Sequence, residues 1–423
     1  MVGRTSLRGV GLLAVVALAP NSACADDRPP LAAFAARNTL DGWTILQGAD
    51  QTPVVLVKVQ ISGTFSTDRL GLAGLSLHAQ VLHVAGESLS KRIRDIQIAD
   101  AIDALPITRL FEAWAEKKFG NEDRSVAVKL GLMDLNTDLD SISATGLFLN
   151  SSHGVGAELA RSGVNGPSVY PVSAFGVRIN VAPSKKWAVR YALLDGVAGD
   201  PARPRAFVVA RLAQKDGTLS IGELDYRPND TTHVAIGAWR YSEPAPTLDA
   251  TGRARSQGAY GEIEGEFWKG VNGWLRVGFA RGSVQQVRAY VGTGIMFKGL
   301  VAGRPADGFG IAVARAWNSD AARVATHVAR AETSIETTYQ IKVSSLISIQ
   351  PDFQYIFDPS LSSGTPNVIA LGVRVIMSLG GPKPAPATDP STPTVAPPSP
   401  GPPSETSPTK APESNSTVGI PST

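Results

Sequence analysis

The chain has 423 residues, of which 43% are hydrophobic, with a mean hydropathy of +0.01 and a formal net charge of +3. So small a net charge excludes partners recognised through a strong basic bias, and no nucleic acid is expected. Beyond the N-terminal segment no run reaches the roughly 18 apolar residues that a spanning helix needs, so a membrane reading requires strands.

Met1–Ala25 carries Arg4 and Arg8, the apolar run Val10–Leu18, Pro20 and the small-residue site Ala23-Cys24-Ala25, the layout of a secretory signal peptide. Cleavage is expected after Ala25, with acylation of Cys24 as the rival reading. Cleaved there, the mature chain holds no cysteine, and its stability must come from hydrogen-bonded structure such as a closed sheet. Residues 26–50, with Pro29-Pro30 and the alanine-rich Leu31–Ala36, read as a short periplasmic lead-in.

The first clear strand is Val55–Ile61, where valines and Ile61 alternate with Leu56, Lys58 and Gln60; Leu75–His83 follows a turn-rich stretch. Ala99–Phe119 is ambiguous, and its periodicity slightly favours a helix. Alternation returns in Val126–Leu132, in Phe175–Asn180 and around Trp187, Val189 and Tyr191. Turns at Asp195-Gly196, Gly199-Asp200-Pro201, Lys215-Asp216-Gly217 and Pro228-Asn229-Asp230 separate further segments, Phe207–Leu212 among them. Val234–Tyr241 has an uncertain phase that suggests a bulge. Tyr260–Phe267, Leu275–Ala280 and Val287–Phe297 alternate cleanly, the last being about as long as a tilted bilayer-crossing strand. A glycine-rich loop with Arg304 and Asp307 lies between Lys298 and Phe309.

The C-terminal third shows the pattern most openly. Ile335, Thr337, Tyr339, Ile341 and Val343 oppose Glu336, Thr338, Gln340 and Lys342; two further runs, beginning at Ile347 and Ile369, repeat the design. The combination of such strands with an export signal points to an all-β fold, a transmembrane antiparallel β-barrel over residues 51–380, apolar outside and polar within. Past Gly380 the composition turns to Pro, Ser, Thr and Ala, and residues 381–423 are expected to be a disordered periplasmic tail.

Several stretches resemble the carbohydrate-selective porins of Gram-negative outer membranes, the OprB family. They are Gly146-Leu147-Phe148-Leu149-Asn150-Ser151-Ser152, Tyr170-Pro171 with Gly176-Val177-Arg178, Leu194-Asp195-Gly196, and Gly294–Asp307 with Lys298-Gly299-Leu300 and Gly303-Arg304-Pro305. The most specific is Ile349-Gln350-Pro351-Asp352-Phe353-Gln354-Tyr355-Ile356-Phe357-Asp358-Pro359. Together they span Ile96–Leu379. The resemblance implies a 16-stranded outer-membrane barrel passing sugars, and it decides the ambiguous Leu110–Phe119 in favour of strand. One departure is the long tail after Leu379, where such barrels commonly end on an aromatic residue.

A sugar presents hydroxyl edges and a partly apolar face, which calls for polar side chains and aromatic rings. Alternation offers Arg178, Arg190, Glu262, Glu264, Arg276, Arg288, Tyr290, Glu336, Gln340, Gln350, Asp352, Gln354 and Arg374 as pore-lining candidates. The competing reading is that they hydrate a wide wall or pair as structural charges. The constriction is not located; an inward-folded loop is one place for it. Trp187, Tyr191, Trp239, Tyr241, Trp268, Trp274 and Tyr355 either stack sugars or form an interfacial girdle. Glu262, Glu264 and Glu266 form a charged row without a partner motif, so no enzymatic site is expected. The five histidines lack metal-ligand spacing and the glycines form no phosphate loop, so neither metal nor cofactor is expected.

The resulting expectation is passive diffusion of monosaccharides such as glucose and related polyols, with small sugars, outer-membrane lipid and the barrel assembly machinery as partners and the oligomeric state open. A general or anion-preferring porin is the first alternative. An outer-membrane enzyme or a closed structural barrel is the second, and a soluble β-sandwich the last.

Overall fold

The computed structural model describes residues 30–212 and 214–380; the expected signal peptide and the expected tail lie outside them. Sixteen antiparallel strands close into one barrel, each paired with its neighbours in sequence and the last with the first. The first quarter comprises β1 (Ala32–Gln47), β2 (Val54–Ser66), β3 (Leu75–Gly86) and β4 (Ile107–Gly120). β5 (Ser125–Met133), β6 (Ala174–Ser184), β7 (Trp187–Asp195) and β8 (Thr218–Tyr226) follow. Then come β9 (His233–Pro246), β10 (Arg253–Trp268), β11 (Val271–Ala280) and β12 (Val287–Lys298). β13 (Gly308–Asn318), β14 (Ala331–Lys342), β15 (Ile347–Phe357) and β16 (Val368–Gly380) complete the ring.

Closure is the physical solution for sheet in lipid, where an unpaired edge would leave backbone N–H and C=O groups without partners. The seam is Ala35–Gln47 of β1 against Ile369–Gly380 of β16, with Asp41 opposite Arg374. This corrects the sequence reading: the stretch 26–50 is not a lead-in but contains the first strand, and the barrel runs from Ala32 to Gly380. The segment 99–106 is loop and Ile107–Gly120 is strand, whereas Phe207–Leu212 forms no strand. β9 keeps one inward–outward phase through Tyr241, and its pairing with β10 slips directly after Arg240, where Tyr241, Ser242 and Glu243 stand against Ser256.

Period-two alternation holds around the ring. Val55 and Ile61 of β2, Trp187, Val189 and Tyr191 of β7, and Leu371, Val373 and Met377 of β16 are exposed on the outer wall, while Asp41, Arg276, Glu336 and Gln354 are buried inside. At the end where the connections are short, outward Phe34, Phe119, Trp187, Phe267 and Trp268 are exposed at strand termini, the position of an interfacial aromatic belt. The opposite end carries the long connections, residues 87–106, 134–173 and 196–217.

Candidate functional site in the barrel lumen

The largest connection, residues 134–173, does not project from the barrel but packs into it. Its local structure follows from a series of side-chain caps. Asp134 accepts from the Asn136 N–H at 3.0 Å, and Asn150 accepts from the Ser152 N–H at 3.0 Å; each starts a tight turn. One short helix, Ala157–Ala160, completes it. Ile142, Ala144, Leu147 and Phe148 bury against Trp274 and Ala312, and Leu135, Leu139, Val155 and Leu159 bury against Trp239, Tyr241 and Tyr260. The loop therefore carries an apolar core of its own across the lumen.

The wall that receives it is cut down to size. The inward face of β13 is Gly308, Gly310, Ala312, Ala314 and Ala316. A Cβ on Gly310 would come within 2.8 Å of both Leu147 and Phe148, and one on Gly278 of β11 would collide with the Glu158 carboxylate. Small side chains at these positions are what let the loop lie against the sheet.

Polar contacts then fix it in place. The Glu336 carboxylate accepts from the Leu149 and Asn150 N–H groups at 2.5 and 3.0 Å, and Glu264 accepts from Ser143 and Ala144 at 3.0 and 2.9 Å. Gln350 donates to the Leu147 carbonyl (2.6 Å), and the Tyr290 hydroxyl to the Ser152 carbonyl (2.7 Å). Arg276, wholly buried between the Tyr260 and Tyr290 rings, donates to Asp140 at 2.5 and 2.7 Å and to Glu158 at 2.9 and 3.1 Å. Arg178 joins Glu116 to Asp138 at 2.6 and 2.9 Å. Burial alone would raise the Asp138 carboxyl, but Lys129 and Arg178 outweigh it and hold it at about 2.

A second loop, residues 87–106, is held in the same way. Glu332 accepts from the Ile96, Gln97 and Ser360 N–H groups, and Gln354 donates to the Ala99 carbonyl at 2.7 Å. Arg374 bridges Asp41 of β1 (2.6 Å) to Asp100 of this loop (2.9 Å).

All the sequence-derived candidates except Arg288 lie on the inward face. Glu264, Arg276, Tyr290, Glu336 and Gln350 hold the large loop, Gln354 and Arg374 the smaller one. Arg190 pairs with Glu223 and Asp225 of the neighbouring strand at 2.8 and 3.0 Å. Asp352 accepts from Gln354 at 3.1 Å, and Glu262 is buried opposite Arg276. Gln340 is half-buried and donates to Gln350 at 3.0 Å. Arg288 sits instead at a bulge where β12 shifts register against β13, and is exposed. The aromatic candidates divide: Trp187, Tyr191, Trp268 and Tyr355 are on the outer wall, whereas Trp239, Tyr241 and Trp274 are buried inside.

His153 lies 5.2 Å from the Phe148 ring and 5.3 Å from Trp274, with Nε2 3.4 Å from the Glu336 carboxylate; burial drives its pKa down to about 3.

Beside the large loop, toward the short-turn end, the lumenal faces of β1–β4 keep partly exposed side chains: Arg37, Lys58, Gln60, Thr64, His78, Gln80 and Trp114. Trp114 stacks on His78 at 4.8 Å, Lys129 Nζ stands 4.5 Å from its ring centre, and its indole N–H donates to Glu112 at 3.3 Å. The periodicity of 99–119, which fits helical spacing, left Trp114 out of the candidates, although the alternation of Glu112, Trp114, Glu116 and Lys118 was the available signal. Lys58 and Gln60 read as strand residues but stand outside the sequence-derived lumenal candidates.

The segments that carried the resemblance meet in space: Gly146–Ser152 is held by Gln350 and Gln354 of the Ile349–Pro359 stretch, Asn150 donating to Gln354 at 3.3 Å. The family model described as carbohydrate-selective porin, OprB family, matches residues 51–379. Among solved structures, the high-pH form of Pseudomonas putida OprB aligns with a TM-score of 0.70 at 16% identity, covering 82% of this chain and 94% of that one. Its low-pH form gives 0.53 at 14% identity, covering 82% and 92%. The outer membrane channel DcaP of Acinetobacter baumannii gives 0.55 at 9% identity, covering 82% and 97%; at these identities the likeness is one of fold. No curated protein matches the sequence. A closed 16-stranded barrel, two loops pinned in its lumen and a family match over nearly the whole barrel agree: the chain belongs to the carbohydrate-selective porins of the OprB family, outer-membrane channels for sugar diffusion.

Proposed function

We propose that the solutes are monosaccharides, glucose and related polyols among them, and that they pass along the wall of β1–β4 beside the pinned loop. The supporting observation is the partly exposed Trp114 ring, its faces met by His78 and Lys129 and its edge left beside the hydroxyl-binding groups Glu112, Gln80 and Gln60. Weak, repeated contacts suit a channel, since a tightly held solute would not leave. The role is that of a passive channel rather than a catalyst. Liposome swelling tests it: glucose and sorbitol should enter faster than sucrose, and Trp114→Ala should level the rates without abolishing entry. Equal rates for all three solutes in the unmodified protein would refute the proposal.

An anion-preferring channel is the second reading, favoured by Arg37 and Lys342, exposed lumenal cations without an ion pair among the described residues. A reversal potential in a salt gradient that moves toward the chloride potential, together with indifference to sugar, would select it. In either case the short-turn end, where β1 begins and β16 ends, is assigned to the periplasm, which puts the tail there. The outer wall meets outer-membrane lipid, and insertion would draw on the barrel assembly machinery.

A further inference from the structure

The outer wall is not uniformly convex. Between β7 and β11 it holds a groove of about 610 Å³ toward the long-loop end. Its floor is made by Gly222, Ala238 and Ala259, successive outward positions on three adjacent strands where the flanking strands carry large side chains. Tyr191 and Phe279, both exposed, stand on either side. At its upper end Arg240 lies opposite Gln257 in the ladder, and the Arg281 N–H donates to the Gln257 carbonyl, so two guanidinium-bearing residues share one height. Neither side chain has an ion pair or hydrogen bond among the described residues.

We propose that this groove seats one acyl chain of a phosphate-bearing lipid, with Arg240 and Arg281 on its phosphate. The outer wall faces hydrocarbon, where an apolar trough gains contact with a chain that a convex wall forgoes. Two guanidinium groups at the boundary of that hydrocarbon, without an ion-pair partner among the described residues, call for an anion, and the fork geometry of arginine suits the oxygens of a phosphate. The chain and the head thus arrive as one molecule. The site is on the outside of the barrel and stands whether or not the lumen prefers sugars.

The test is native mass spectrometry of the full barrel in dodecyl maltoside, with phosphatidic acid and phosphatidylcholine of the same acyl chains added in equal amounts. The unmodified barrel should retain one phosphatidic acid in preference. Arg240→Gln with Arg281→Gln should lower that preference roughly tenfold, about one charge-assisted contact's worth. Gly222→Leu, which fills the trough at a backbone conformation open to any residue, should lower retention of both lipids while the arginines remain. Heat-dependent gel mobility shows that each variant is folded. Equal or no retention of the two lipids by the unmodified barrel, an unchanged preference in the double arginine variant, or a dimer that forms in place of lipid binding would each overturn the proposal.

Discussion

Arg276 shows how the lumenal charges are used. It is a cation with no access to water, and its two carboxylate partners, Asp140 and Glu158, both come from the inserted loop. A charge in that position is a clamp and has no face left for a solute. Replacing it by methionine keeps the volume but leaves two buried carboxylates uncompensated, which should destabilise the barrel by about 3–5 kcal/mol. Adding Asp140→Asn and Glu158→Gln should recover part of the loss, measured as the urea midpoint of the gel-mobility shift. A loss of less than about 1 kcal/mol in the single variant would show that the loop does not depend on the clamp.

Two loop residues give opposite dependences on pH. Burial, with Glu112 beside it, raises Asp134 to about 7 from 3.8. The folded state therefore holds a proton that the unfolded chain gives up, and the stability it contributes is lost as pH rises from about 4 through 7. Asp134→Asn keeps the cap and removes this loss; it should be about 1–3 kcal/mol more stable than the parent at pH 8, the gap closing toward pH 4. His153, lowered by burial to about 3, resists the proton that the unfolded chain takes up below about 6.5, so it destabilises the fold as pH falls from there toward 3. His153→Phe should flatten that acid limb in thermal melts.

At the scale of elements, the decisive one is the loop 134–173, and its seat is as important as its contacts. Gly310→Val should force Leu147 and Phe148 off β13, raising single-channel conductance and costing about 1–3 kcal/mol of stability, while the sheet stays closed. Unaltered conductance would mean that the loop tip does not narrow the path.

Little of this element was legible in the sequence, for a physical reason. A strand in lipid faces two media and advertises both in every second residue, which is why β2, β12, β14, β15 and β16 could be read directly. The loop meets one medium, the lumen, in a series of short turns, so its apolar residues follow no period. Its partners are also remote: Glu336 to Leu149 and Gln350 to Leu147 span 187 and 203 positions. β1 was hidden because Ala36, Asn38 and Gly42 on its outer side contrast weakly with Thr39 and Asp41 within. Most sequence-derived candidates did face inward, but as anchors of loops; the patch around Trp114 was obscured by a spacing that suits a helix equally well.

For the molecule as a whole, closure and filling work together. The barrel gives every strand two neighbours, and the pinned loops pack on the wall from β5 to β16 and on the long-loop end of β1–β4, so the proposed path runs along the partly exposed lumenal side chains toward the short-turn end of β1–β4. Selectivity would then arise from what that wall offers, an aromatic edge and several weak hydrogen-bonding groups, rather than from the buried arginines. The most direct measurement is single-channel conductance in a planar bilayer, titrated with glucose and, as a control, with a small non-sugar osmolyte, in the unmodified protein and in Trp114→Ala. Glucose alone should give saturable block, with an affinity weakened roughly fivefold or more in the variant, of the order of one aromatic contact. A conductance that falls only with solution viscosity, equally for glucose and the osmolyte and equally in both proteins, would contradict it.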